Sequence, residues 1–262
     1  MDPTRTSNYG PGDLRRICEL NKESDLSRII DIGSKFELSG KNEVQFPKKA
    51  YVINLARRHD RWERFNSLNK QLFSNFEVER FDAVEDLSDV PWAIFRSYLD
   101  VMEKAFGEDC QDSIVVMEDD AYLVSGAMDK IRDSYASLPQ DWDILIGNHY
   151  FFGEMGVINE HLAKPLNRAS TINFSIIRNT ILDKIKGNLN MREGDKLDID
   201  HFITSCDVPI NNYSIWPMVS REYLSHSDHK GCEKNMEMRI REHAYLFPFV
   251  DGDKYYPSLA GW

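Results

Sequence analysis

Two groups of side chains in this chain have the types and spacing to do chemistry. Glu118, Asp119 and Asp120 are consecutive carboxylates that follow a short apolar run, Ser113 to Met117. Adjacent negative charges repel one another, and burying them is costly without a compensating cation. Delivered together to the end of a strand, they point to a divalent metal held by hard oxygen ligands; the alternative is a solvated acidic turn. Arg57, Arg58 and Arg61 follow another apolar run, Lys49 to Leu55. At the turn from a first strand into its helix they would neutralise a diphosphate or clamp a base. The alternative is that they pair with Glu63 and the other acids.

The elements that must position these groups follow from the apolar spacing. KAYVINL (49–55) reads as a strand, and Asp60 as the cap of a helix with Glu63 in capping-box spacing and Trp62, Phe65, Leu68 and Leu72 as its stripe. FEVERFDAV (76–84) alternates like a second strand. Pro91 opens a helix whose Trp92, Phe95, Leu99, Met102 and Phe106 recur at spacings of three and four. The Ser113–Met117 strand comes next, then a helix capped near Ser125 with Met128, Ile131, Tyr135 and Leu138 on one face, then the strand WDILI (142–146). His149 to Ser170 reads as a long, functional loop. Ile172–Ile177 is a strand, Ile181, Ile185 and Leu189 mark a helix, Asp198 to Phe202 open another, and Tyr213–Val219 is a final strand whose Pro217 implies an edge or a terminus.

Strand alternating with helix gives an α/β fold, a largely parallel sheet flanked by helices on both faces. In open sheets of this kind ligands bind beyond the carboxyl ends of the strands, which is where the acidic triplet stands. Residues 1–45 form an N-terminal extension with short helical patterns around Leu14, Ile17 and Cys18 and around Leu26, Ile29 and Ile30. Residues 46–230 form the main domain, and 231–262 a tail that packs on it.

Composition narrows the function. A net charge of −11 argues against nucleic acid or an anionic membrane as partner. No apolar run approaches the roughly 18 residues that span a bilayer, and Met1 to Arg16 carry no apolar secretory core. Cys18, Cys110, Cys206 and Cys232 lie far apart, which fits reduced thiols in a cytoplasmic compartment.

Taken in order, Tyr51-Val52-Ile53-Asn54-Leu55, Arg57-Arg58-x-Asp60-Arg61, Phe81-Asp82-Ala83-Val84, Met117-Glu118-Asp119-Asp120-Ala121 and Trp142-Asp143-Ile144-Leu145-x-Gly147 resemble glycosyltransferase family 25, the lipooligosaccharide and procollagen galactosyltransferases. The blocks keep the family's order over roughly residues 49 to 230. The resemblance implies a GT-A-like (Rossmann-like) fold and a metal-dependent, inverting transfer of a hexose, galactose or glucose, from a UDP-sugar to an acceptor hydroxyl. It implies Mn²⁺ or Mg²⁺ held by Glu118 and Asp120, with His226 or His229 as a late ligand; an exposed tail histidine is the alternative for each. Asn54, Arg57, Arg58, Asp60, Arg61 and Asp119 would stand on the donor side. Asp200, and after it Asp198, would be the base that takes the acceptor's proton, a helix cap being the alternative for Asp198. Here Lys196-Leu197 replace the family's proline region. The acceptor is a glycan, a lipid-linked glycan or a protein. Two other readings compete: a metal-dependent phosphoesterase, and an inactive domain that binds a glycan or a partner.

Overall fold

The computed structural model describes residues 27–34, 36, 38, 40–148, 150–151, 153–166, 169–170, 172–189, 199–204, 210–223, 225–227 and 232–234. Its strands are β1 Ser27–Asp31, β2 Lys49–Asn54, β3 Glu77–Asp82, β4 Ser113–Glu118, β5 Ala121–Leu123, β6 Ile144–Ile146, β7 Tyr150–Phe151, β8 Gly153–Val157, β9 Leu162–Pro165, β10 Ala169–Ser170, β11 Phe174–Arg178, β12 Asn212–Ile215, β13 Ser220–Glu222, β14 Ser225–Ser227 and β15 Cys232–Lys234. Its α-helices are α1 His59–Leu68, α2 Lys70–Asn75, α3 Val90–Glu103, α4 Ala127–Ala136, α5 Thr180–Leu189 and α6 Ile199–Thr204. A nine-stranded sheet runs β1-β8-β9-β12-β6-β11-β4-β2-β3, and in it only β9 and β11 oppose the common direction.

Alternation along each strand sorts side chains onto two buried faces. Ala50, Val52, Val115, Met117 and Leu145 pack with Phe65 of α1, Leu72 of α2 and Ile131 of α4. Tyr51, Ile53, Ile114, Val116, Ile144 and Ile146 pack with Phe95 of α3, Ile185 of α5 and Phe202 of α6. Because both faces are covered, β2, β4 and β6 read as continuous apolar runs rather than polar–apolar alternation. The mixed, mostly parallel sheet between helical layers is the α/β class that the sequence predicts.

Several local expectations are corrected. The apolar group around Ile29 and Ile30 is not helical: it is β1, paired in parallel with β8. A short apolar run does not distinguish helix from strand, and the partner lies more than a hundred residues away. The stretch 149–170 is not a loop, since β8 and β9 are strands of the main sheet. Gly153 and Gly156 mask the strand signal, and Gly156 serves close packing: a Cβ there would stand 2.4 Å from Ile32 Cδ1. Helix α1 starts at His59 with Arg58 as its cap residue, so Asp60 lies inside the first turn rather than at the cap position. Helix α4 is preceded by Gly126 in the left-handed region (φ +78°), not capped by Ser125. Pro217 falls just past β12, a strand interior to the sheet, so it marks a terminus and not an edge. The pattern around Leu14, Ile17 and Cys18 lies outside the described residues, as does the tail beyond residue 234.

Candidate active site

Parallel pairing of β2 with β4, with Ile53 opposite Glu118, brings the carboxyl ends of two strands together. Glu118 is the last residue of β4, and its N–H donates to the Asn173 carbonyl at 2.9 Å. Asp119 and Asp120 form the turn into β5, which pairs antiparallel with β13. Tyr223, just past β13, clasps that turn: its N–H donates to the Asp120 carbonyl (2.9 Å) and its hydroxyl to the Asp119 carbonyl (2.8 Å). Asp119 and Asp120 are only 5% and 6% exposed, which rules out a solvated acidic turn for this pair.

The compensating charge comes from within the chain. An Arg61 guanidinium nitrogen lies 2.8 Å from Asp119 Oδ1 and 2.7 Å from Asp120 Oδ2. Asn54, buried at the end of β2, donates from Nδ2 to Asp119 Oδ2 at 2.5 Å. Burial, reinforced by neighbouring Asp120, pushes the Asp119 carboxyl up to about 6, against the lowering pull of Arg61 and Asn54. For Arg61 burial opposes the charged form, but Asp120 and Asp119 outweigh it and raise the guanidinium further. Asp120 Oδ1 and Asn54 Oδ1 are buried acceptors with no hydrogen-bond partner. An unmet buried acceptor at a sheet's rim needs a donor or a cation.

Glu118, less buried than its neighbours, accepts a hydrogen bond of 3.2 Å from the hydroxyl of Tyr98 on α3. Asp200, in the first turn of α6, acts electrostatically on that same hydroxyl, as do Glu118 and Asp120. Burial first, then these carboxylates, raise the Tyr98 phenol well above its ordinary value. Of these carboxylates Glu118 touches the tyrosine directly, and those of the following turn and of α6 act on it through their charge.

The remaining candidates divide. Arg58 forks onto Asp60, Nε to Oδ1 and a terminal nitrogen to Oδ2, both at 2.9 Å, beside the acidic turn. That hydrogen bonding lowers the Asp60 carboxyl to about 2. Arg57 instead pairs with Glu85 at 2.6 Å on the surface, with both side chains more than two-fifths exposed. The arginines therefore meet carboxylates, as the bland alternative had it, but Arg61 does so inside the site. His226 lies on β14, its backbone opposite Glu233 of β15 in a two-stranded ribbon. Asp198 and His229 lie outside the described residues. Among the described residues, no three His, Cys, Asp or Glu side chains form a group able to hold a metal by themselves. Sequence reasoning missed Tyr98, which flanks the Phe95–Leu99 stripe, and Tyr223, whose only local signal is its place just past an apolar strand.

No family model matches the chain, and no curated protein matches it. Among solved structures the chain is similar to A197 from STIV, with 10% identity, a TM-score of 0.44, and 69% of this chain and 87% of that chain covered. It is also similar to a glycosyltransferase involved in the glycosylation of the major capsid of PBCV-1, with 9% identity, a TM-score of 0.48, and 71% of this chain and 97% of that chain covered. What the site can do is decided by its own residues.

Proposed function

We propose that the chain is a glycosyltransferase with a nucleotide-sugar donor. The family resemblance adds a UDP-hexose as that donor, with galactose or glucose transferred. The observation that carries the reading is the buried, partnerless Oδ1 of Asp120 in the turn after β4, a residue whose other oxygen Arg61 holds and which stands two positions after the Tyr98-bound Glu118. Glu118 and Asp120 offer hard oxygens that fit Mn²⁺ or Mg²⁺, an ion commonly held by one or two carboxylates with substrate phosphates and water completing its shell. Bound there, such an ion would neutralise the charge that develops on a departing diphosphate.

The chain's own residues account for the rest. Arg61 and Asn54 hold Asp119 and keep the acidic turn in one geometry. Asp200 takes the proton of the acceptor hydroxyl as its oxygen bonds to the sugar's anomeric carbon; the bond from that carbon to the phosphate oxygen breaks, and the nucleoside diphosphate leaves. Attack from the face opposite the leaving group makes the transfer inverting. The acceptor is a glycan, lipid-linked glycan or protein hydroxyl.

One observation favours a second reading, a domain that binds without turnover: Arg61 already compensates Asp119 and Asp120. One set of experiments separates the two. Hydrolysis of UDP-, GDP- and CMP-sugars is screened with Mn²⁺, and UDP binding is titrated calorimetrically with and without the metal. The transferase reading expects turnover of one donor class and tighter UDP binding with Mn²⁺. Asp120→Ala should abolish transfer while the fold persists, since Arg61 keeps Asp119. Transfer by Asp120→Ala at the wild-type rate refutes the reading.

A further inference from the structure

Tyr98 is fully buried, yet its hydroxyl ends at the rim of the site rather than in apolar core. Its oxygen lies 3.2 Å from Glu118 Oε1 and 3.2 Å from the Ile172 carbonyl, so one proton is shared between a carboxylate and the main chain that leads into β11. The next residue of that segment, Asn173, accepts the Glu118 N–H. Glu118 is therefore held at its main chain by Asn173 and at its side chain by Tyr98. On the other side, α3 is locked to α6 by an edge-to-face contact of Phe95 with Phe202, ring centroids 5.4 Å apart. Asp200 stands on the same short helix as Phe202.

We propose that Tyr98 is a positioning residue: its hydroxyl fixes the Glu118 carboxylate at the end of β4, and its helix sets the separation between Glu118 and Asp200. A phenylalanine would fill the same apolar space, so nothing in the packing of the ring calls for an oxygen. The oxygen is explained by its neighbours, the Glu118 carboxylate and the Ile172 carbonyl, each 3.2 Å away. Residues that orient a metal-holding carboxylate contribute about 10- to 100-fold to affinity or activity when removed. The inference rests on the transferase reading.

The test is Tyr98→Phe, measured beside the wild type for folding by circular dichroism, for UDP affinity with and without Mn²⁺, and for steady-state transfer. The expected result is a folded variant with Mn²⁺-dependent UDP affinity weakened about 10-fold. Its kcat should fall about 10- to 100-fold, with an acceptor KM within about twofold of wild type. A purely structural tyrosine would lower the melting midpoint and leave both binding and kcat in place. A double-mutant cycle adds Glu118→Gln: the pair should lose little more than Glu118→Gln alone, because the hydroxyl acts through that carboxylate. Multiplicative losses, wild-type binding and kcat, or a variant that does not fold each overturn the proposal. If the wild type itself neither binds UDP with Mn²⁺ nor transfers sugar, the transferase reading fails and takes this inference with it. If the wild type does both and Tyr98→Phe matches it, only the role of Tyr98 fails.

Discussion

Arg61→Met should expose how the acidic turn tolerates burial. The guanidinium touches two carboxylates at 2.8 and 2.7 Å, and its side chain is only 11% exposed. At an effective dielectric of about 20, each contact contributes about 4 kcal/mol. Repulsion between the two aspartates, and the desolvation of a guanidinium that the variant no longer carries, offset part of that gain. Removing the cation then leaves about 3–5 kcal/mol of destabilisation at neutral pH, the usual consequence of a buried charge left without its partner. With about 2–4 °C per kcal/mol for a chain of this size, the melting midpoint falls by about 6 to 20 °C.

The pH dependence of that loss has a definite sign. Asp119 already has a raised carboxyl in the folded protein, to about 6. Its contribution to stability is fully present below the unfolded value of about 3.9 and is lost as pH rises through about 6. Without Arg61 the folded value climbs further, so the variant's deficit is largest at pH 7.5 and shrinks towards pH 5. Urea unfolding at both pH values measures it. Arg57→Met serves as the control, since its exposed pair with Glu85 contributes no more than about 1 kcal/mol. A deficit below about 1 kcal/mol at pH 7.5, or one that grows on acidification, refutes the account of Arg61 as the internal counter-ion.

Two further substitutions test the frame that carries the site. Asp143, 1% exposed, accepts from Lys184 Nζ (2.5 Å), Thr180 Oγ1 (2.7 Å) and the Asn211 N–H (2.7 Å), tying α5 to the entry of β6 and β12. Asp143→Ala should cost about 3–5 kcal/mol in urea unfolding, while nucleotide binding well below the melting midpoint stays at wild type. Gly147→Ala would put a Cβ 2.4 Å from Phe174 Cδ1 and 3.0 Å from Val219 Cγ2, in a fully buried part of the sheet. It should lower stability by about 1–3 kcal/mol, and an unchanged melting midpoint would contradict that packing.

Legibility followed the range of the interactions. Strands β2, β4 and β6 were readable because burial on both faces makes them continuous apolar runs. The position of Glu118–Asp120 past β4 was readable because it is local: a strand hands its next residues to the rim. Helix α3 announced itself by its stripe and by Pro91 in its first turn; it starts at Val90, one residue earlier, capped by Asp89, whose carboxylate accepts from the Trp92 N–H at 3.2 Å. Strands β8 and β9 were not readable, because Gly153, Gly156 and Pro165 carry the composition of a loop and only long-range pairing makes strands of them.

From its order of residues alone this chain fixes an α/β alternation and a run of three acids at a strand's carboxyl end. Those depend on periodicity and adjacency, which a linear sequence contains. Which cation answers those acids, and which tyrosines hold them, was decided by the fold. Arg61 reaches Asp119 and Asp120 because β2 and β4 are neighbours in parallel register. Tyr98 and Tyr223 reach the same few ångströms from α3 and from the residue after β13. Coulomb and hydrogen-bond energies depend on distance through space, and only the closed sheet sets those distances.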